Sequence, residues 1–216
     1  DYKKAIKLLP LFFNGDNLQI LWEFCLYSMA DQRGSFSELI ECLNNYKSKF
    51  PQAEFIEIFN EKYIVDLKKK NFNSDNVTLL DLKSKQVLLK NIIKENKGKL
   101  IYIDFWASWC APCIATMPAS KKLSKAYKSK DIVFIYVSID ENIEKWQLAL
   151  NAEKLPLTKN NLLATNYPNV SFYKELNLIT IPRYLLYDKK GELVHQNAPR
   201  PSSIEIRELF DKYLKE

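Results

Sequence analysis

Two stretches constrain the fold of this chain more than any others: KLIYIDFWA, at residues 99–107, and DIVFIYVSI, at residues 131–139. Each is an almost unbroken run of apolar, β-branched and aromatic residues, with no alternation that would leave one face wet. Runs of this kind are strands covered on both faces, which places them in a sheet packed between helices. The segment between them is long enough to cross back as a helix, so the two strands are expected to run parallel.

The pattern downstream fits the same architecture. A helix is expected from Cys110 to about residue 129, and DENIEKWQLALNA reads as a helix capped by Asp140. Residues 154–178 are irregular, with Asn- and Pro-containing turns. PRYLLYD and ELVHQ flank a turn at Gly191 and read as an antiparallel pair of strands. SSIEIRELFDKYL closes the chain as a helix with a Ser202…Glu205 capping box. Upstream, VTLLDL and QVLL around KSK form a hairpin, and a short helix covers about 89–96. The fold class is therefore α/β: a mixed sheet with helices on both faces.

The first third of the sequence has a different period. Leu18, Leu21, Trp22, Cys25 and Met29 share one helix face, and Phe36, Leu39, Ile40, Leu43 and Phe50 share another. The second helix opens on a Ser35…Glu38 capping box and ends at Pro51, and a third covers about 53–66. The Lys68–Lys70 run reads as a solvated linker. We expect a small all-helical N-terminal domain at 1–73, followed by an α/β domain at 74–216 that carries an insertion at about 140–178.

Composition narrows the function. Hydrophobic residues are 47% and charged residues 27% of the 216, a globular balance, and no run approaches the ~20 apolar residues of a spanning helix. The sequence begins at Asp1 rather than Met, and the expectation is of a processed chain whose leader or membrane tether lies outside it. The net charge of +6 comes from lysines scattered among acidic residues, with little Arg, so no nucleic-acid partner is expected. His195 is the single histidine and lies far from any Cys pair, so no metal site is expected.

The chemistry concentrates in WASWCAPC, residues 106–113. At the start of a helix, Cys110 would meet unpaired N–H groups that favour an anion and lower its thiol pKa. Cys113, one turn further in, would attack a mixed disulfide formed on Cys110 and release the substrate. Pro112 suits the first turn, where a missing N–H costs little, and Trp109 would shield the sulfur and offer an apolar contact. A zinc half-site would need a second CxxC or a His pair, which the sequence lacks. A chance pair of buried thiols would have no reason to sit at a strand–helix junction. Cys25 and Cys42 are expected to be two buried, unbridged small residues.

IDFWASWCAPC, followed by Pro118 and later by TIPRYLLYDKKGEL, resembles the thioredoxin superfamily, and in detail the extracytoplasmic bacterial thiol–disulfide oxidoreductases of the TlpA/ResA type. The resemblance covers roughly residues 74–216, and the hairpin, short helix and insertion fit that branch. It implies a thioredoxin-like sheet, a redox-active Cys110–Cys113 disulfide and a cis-proline at Pro182. The backbone of Ile181 would then pair with an incoming peptide. It makes Pro118 the proline inside the CxxC helix, and Asp104, six residues before Cys110, a buried carboxylate of raised pKa that accepts a proton from Cys113. It implies protein thiol and disulfide substrates, an electron-donor redox protein as partner, no cofactor and an extracytoplasmic location. Relatives often carry an acid three residues after the second Cys; here that residue is Thr116. Ala111–Pro112 lacks the His that strong oxidants place before the second Cys, so the expected activity is reduction of protein disulfides. The alternatives are a disulfide oxidase or isomerase, or a partner-binding module with an idle CxxC.

Overall fold

Apolar side chains spaced three and four residues apart through the first part of the chain form helices in the computed structural model, which describes residues 2–31, 36–64, 76–155 and 158–216. α1 (Tyr2–Phe12), α2 (Gly15–Asp31), α3 (Phe36–Lys49) and α4 (Phe55–Phe59) belong to one compact unit, Asp1–Asn71; Phe72–Glu216 is a second. α4 passes into a π-helical turn, Asn60–Ile64, where a single continuous helix was expected. The buried face of α2 is Leu18, Trp22, Cys25, Leu26 and Ala30. Leu21 and Met29, expected on that face, are half-buried, because the stripe is turned by about one position toward Leu26. On α3 the buried residues are Leu39, Cys42, Leu43 and Tyr46, and Ile40 and Phe50 lie at the margin. The Tyr46 hydroxyl donates to Glu23, and its ring meets Trp22, Phe50 and Phe55. Ser35, and with it the expected capping box, lies outside the described residues, as do the side chain of Phe36 and the Lys68–Lys70 run.

Cys25 and Cys42 are both buried and unbridged. Burial pushes the Cys25 thiol up and the Cys42 thiol up to about 11, so both stay protonated at neutral pH and behave as small apolar side chains.

The second unit begins with the hairpin of β1 (Thr78–Leu80) and β2 (Gln86–Leu88), whose turn is held by Asp81 Oδ1 accepting from the N–H groups of Lys83 and Lys85. There follow α5 (Leu89–Glu95), β3 (Leu100–Trp106), α6 (Ala111–Ala126), β4 (Ile132–Ser138), α7 (Ile143–Ala152), β5 (Asn161–Ala164), α8 (Ser171–Glu175), β6 (Arg183–Tyr187), β7 (Leu193–His195) and α9 (Glu205–Lys215). The sheet order is β2-β1-β5-β4-β3-β6-β7. β3 lies parallel to β4 and antiparallel to β6, and every one of its residues is buried. β5 and α8 fall inside 154–178, which the sequence pattern leaves irregular. All four residues of β5 are buried, and the strand links β4 to β1 and so joins the hairpin to the sheet. At Gly191 the turn between β6 and β7 needs φ of +85°, and Asp188 Oδ1 accepts from the N–H groups of Lys190 and Glu192.

Two expected caps belong to other residues. Asn142, not Asp140, caps α7: its Oδ1 accepts from Lys145 N at 3.0 Å, while Asp140 turns inward to hydroxyls. At α9 it is Ser203 Oγ that accepts from Ile206 N, so Ser202 forms no capping box.

One face of the sheet packs on α9 through Phe210, which is fully buried among Tyr102, Phe134 and Tyr127 at ring separations of 5.2–5.9 Å. The opposite face meets α8, where Tyr173 abuts Phe105 edge-on. Phe210→Ala leaves a cavity that three aromatic rings cannot fill, and a loss of about 3–5 kcal/mol is expected. Urea unfolding checks it as a fall in midpoint at unchanged m-value.

Candidate functional site

The site lies at the end of the sheet where β3 and β4 finish and β6 begins. Because Phe105 pairs with Arg183 across β3 and β6, the chain leaving β3 toward Cys110 and the chain entering β6 from Pro182 meet at the same end of the sheet. The loop after β3 is short. Cys110 N closes it by donating to Ala107 O at 3.1 Å, and Cys110 then takes the N-cap position of α6.

Cys113 N donates to Cys110 Sγ at 3.2 Å, so the sulfur occupies the place of a capping oxygen over the free N–H groups of the first turn. Pro112 sits in that turn, where its missing N–H breaks no helical bond. Cys110 and Cys113 form a disulfide, with Cα atoms 5.2 Å apart. Cys113 is wholly buried and Cys110 5% exposed, whereas Trp109 is 66% exposed and Ala111 and Pro112 face solvent. Access to the pair is from the Cys110 side.

Asp104 lies on β3 opposite Tyr136 of β4 and Tyr184 of β6, so the three side chains share one sheet face. Cys113, Met117, Ser120 and Leu123 are the buried residues along α6 at helical spacing, and Ser120 Oγ reaches both Asp104 Oδ2, at 3.5 Å, and the Tyr136 hydroxyl, at 3.2 Å. The face of α6 that carries Cys113 therefore rests on the face of the sheet that carries Asp104. Asp104 is 2% exposed, and its Oδ1 has no hydrogen-bond partner among the described residues. Burial pushes its carboxyl well above the usual carboxylate range, and the Ser120 hydrogen bond opposes only part of that shift. Burial likewise raises the Tyr136 phenol, to about 12, and that of Tyr184.

Thr116 occupies the position where the resemblance leads one to look for an acid. Its Oγ1 donates to Cys113 O at 2.7 Å and accepts from the Tyr184 hydroxyl at 3.2 Å. The hydroxyl couples the second turn of the helix to β6 and carries no charge to Cys113. Pro118 stands in the interior of α6.

The Ile181–Pro182 peptide is cis, and so is Tyr167–Pro168, which the sequence reading did not single out. Ile181 and Pro182 are half-buried. The loop that leads to them is pinned from two sides. The Arg183 guanidinium donates to the carbonyls of Leu176, Asn177 and Gln196 at 3.3–3.4 Å, and the Tyr167 hydroxyl donates to Leu178 O at 2.8 Å. Neither residue has a sequence signal, because each acts on carbonyls that only the folded chain brings near.

Residues 49–210 match the family model described as Redoxin. The chain belongs to the Redoxin family. Among curated relatives of this Redoxin-family chain, the thiol-disulfide oxidoreductase ResA of Bacillus thuringiensis subsp. konkukian is 25% identical over 177 residues, spanning 79% of this chain and 84% of the relative. The thioredoxin-like protein YneN of Bacillus subtilis is 33% identical over 123 residues, 56% of this chain and 69% of its own. Among solved structures, one described as a thiol-disulfide oxidoreductase from Bacteroides vulgatus superposes with a TM-score of 0.55 at 39% identity, covering 63% of this chain and 90% of that one. The fold is thioredoxin-like, and the chain is a thiol–disulfide oxidoreductase.

Proposed function

We propose that this Redoxin-family protein reduces disulfides of bacterial proteins outside the cytoplasm. The observation that carries the reading is the asymmetry of the dithiol: Cys110 caps α6 beside the exposed Trp109 and keeps 5% exposure, and Cys113 is wholly buried against the face that holds Asp104. The Cys110 thiolate attacks one sulfur of the substrate disulfide, forming a mixed disulfide and expelling the other substrate sulfur as a thiolate. Asp104 takes the proton of Cys113, and Cys113 then attacks Cys110 Sγ. The second substrate thiolate leaves, and the Cys110–Cys113 disulfide remains. Two electrons from a partner dithiol protein restore the reduced pair, so no cofactor enters the cycle. Trp109, Ala111 and Pro112, all exposed beside Cys110, would contact the substrate, and the Ile181–Pro182 segment would align its peptide.

The reductive direction rests on Ala111–Pro112. With no His beside the thiolate to stabilise the reduced form, the dithiol should be a good donor, with a potential of the order of −250 mV or lower. Equilibration with glutathione buffers, read by thiol alkylation, tests this; a value near −120 mV would make the protein an oxidant. The extracytoplasmic setting rests on the TlpA/ResA resemblance. The division into a helical domain at 1–73 and a redox domain at 74–216 is part of the same reading, supported by the two compact units, Asp1–Asn71 and Phe72–Glu216.

A further inference from the structure

We propose that Asp140 is a positioning residue for exchange: its buried carboxylate clamps the loop that presents Trp109 and Cys110. The inference rests on the reading of Cys110 as the attacking thiol. Asp140 follows β4 and is 4% exposed. Its Oδ2 accepts from Ser108 N at 2.9 Å and from Ser138 Oγ at 2.6 Å, and its Oδ1 accepts from Ser108 Oγ at 2.7 Å. The Ser138 hydroxyl also accepts from Asp140 N at 2.9 Å, which fixes the rotamer of the carboxylate. Ser108 is thus gripped at backbone and side chain together, two residues before Cys110, by a group just past the end of the neighbouring strand β4.

The grip matters because, among the described residues, the segment between Trp106 and Cys110 has few other hydrogen bonds. Beyond Trp106 O, which accepts from Ile139 N at 2.9 Å, the chain runs through Ala107 and Ser108 to an exposed Trp109, and Cys110 N returns to Ala107 O. The Asp140 contacts are therefore the side-chain bonds that fix the approach to Cys110 relative to the sheet. A buried carboxylate is a costly way to end a strand, and a role in holding the reactive loop accounts for it better than strand termination, which an uncharged residue would serve. Charge-assisted bonds of this length are about twice as strong as neutral ones, and they suit a loop that must not shift while its cysteine meets a second sulfur in line.

The test compares Asp140→Ala, Asp140→Asn and Ser108→Ala in the full chain. Each variant is first checked for a native thermal transition, and reduction of a protein disulfide is then followed to separate kcat from KM. Asp140→Ala is expected to lower kcat about tenfold with KM changed less than twofold, since a sub-ångström displacement of a reacting group has effects of this order. Asp140→Asn keeps an oxygen for Ser108 N and should recover part of the loss. Ser108→Ala removes one bond, leaves the carboxylate in place and should lose about threefold, so the proposal stays testable if Asp140→Ala fails to fold. The rate of Cys110 alkylation by iodoacetamide should fall in the same order. Folded variants with unchanged kcat and unchanged Cys110 alkylation would overturn the clamp and leave Asp140 as a purely structural residue. Full activity in a parallel Cys110→Ser control would instead remove the attacking-thiol reading beneath it.

Discussion

Cys113→Ser is expected to hold its substrates on Cys110 as mixed disulfides, and Cys110→Ser is expected to abolish exchange, by on the order of 10³-fold or more. The two cysteines are three residues apart but differ in every property that decides reactivity. Cys110 Sγ accepts from Cys113 N and lies at the positive end of α6, which favours its thiolate. It is also the sulfur next to solvent, between exposed Trp109 and exposed Ala111. Cys113 is fully buried, has no such donor aimed at its sulfur among the described residues, and can be reached only by a sulfur already attached to Cys110. With serine at 113 the first exchange still proceeds and the second cannot, so a covalent adduct builds up that runs as a high-mass band on non-reducing gels and collapses with reductant. Cys25 and Cys42 do not substitute, because burial keeps both thiols protonated. Adducts that form in Cys110→Ser and not in Cys113→Ser would reverse the two roles.

The parts of this architecture that could be read in advance are those fixed by covalent spacing or by long unbroken patterns. β3 and β4 are each a continuous apolar run with one possible environment, and they form as read, parallel and central. The CxxC spacing and the six-residue interval from Asp104 to Cys110 are properties of the chain itself. β5 escaped because Asn161–Ala164 is too short to show a period; it is a strand because β4 and β1 offer it partners on both sides. Asp140 has the identity and position of a good helix cap, and the Ser138 hydroxyl together with the hydroxyl and N–H of Ser108, thirty-two residues earlier, draws it inward. Ser120 and Tyr136 escaped for the same reason: nothing local marks a serine two turns along a helix or a tyrosine in a strand as neighbours of a carboxylate. The α2 stripe was read with Leu21 and Met29 inside, and packing chose Leu26 and Ala30, because a helix face is broad enough to be turned by one position at little cost.

Asp104→Asn is expected to slow exchange and to stabilise the reduced protein at alkaline pH, two opposite effects of one buried group. The folded-state pKa of Asp104 is raised, chiefly by burial, above the ordinary carboxylate value that it has in the unfolded chain. Between those two pKa values the native state keeps a proton that the unfolded state has released, so the unfolded state binds fewer protons and stability falls as pH rises. The contribution is fully present below the unfolded pKa and is lost as pH climbs through the folded one, at about 1.4 kcal/mol for each unit of difference. The groups facing Asp104 do not offset this: Tyr136 and Tyr184 are buried phenols of raised pKa, Tyr102 on the same face is another, and Ser120 supplies one long hydrogen bond. Asparagine has no such proton. The variant should therefore match the parent near pH 4 and exceed it at pH 8, read as urea midpoints of the reduced proteins across that range. The same substitution removes the base whose ionised form accepts the Cys113 proton, so resolution of the mixed disulfide should slow on the order of a hundredfold, and the parent's advantage should grow as pH climbs through the raised pKa of Asp104. Equal slopes of stability against pH in the two proteins would mean that Asp104 is ionised in the fold. An unchanged rate of resolution would mean that the proton of Cys113 leaves by another route, in which case the Thr116–Tyr184 hydroxyl pair beside the Cys113 carbonyl becomes the next group to alter.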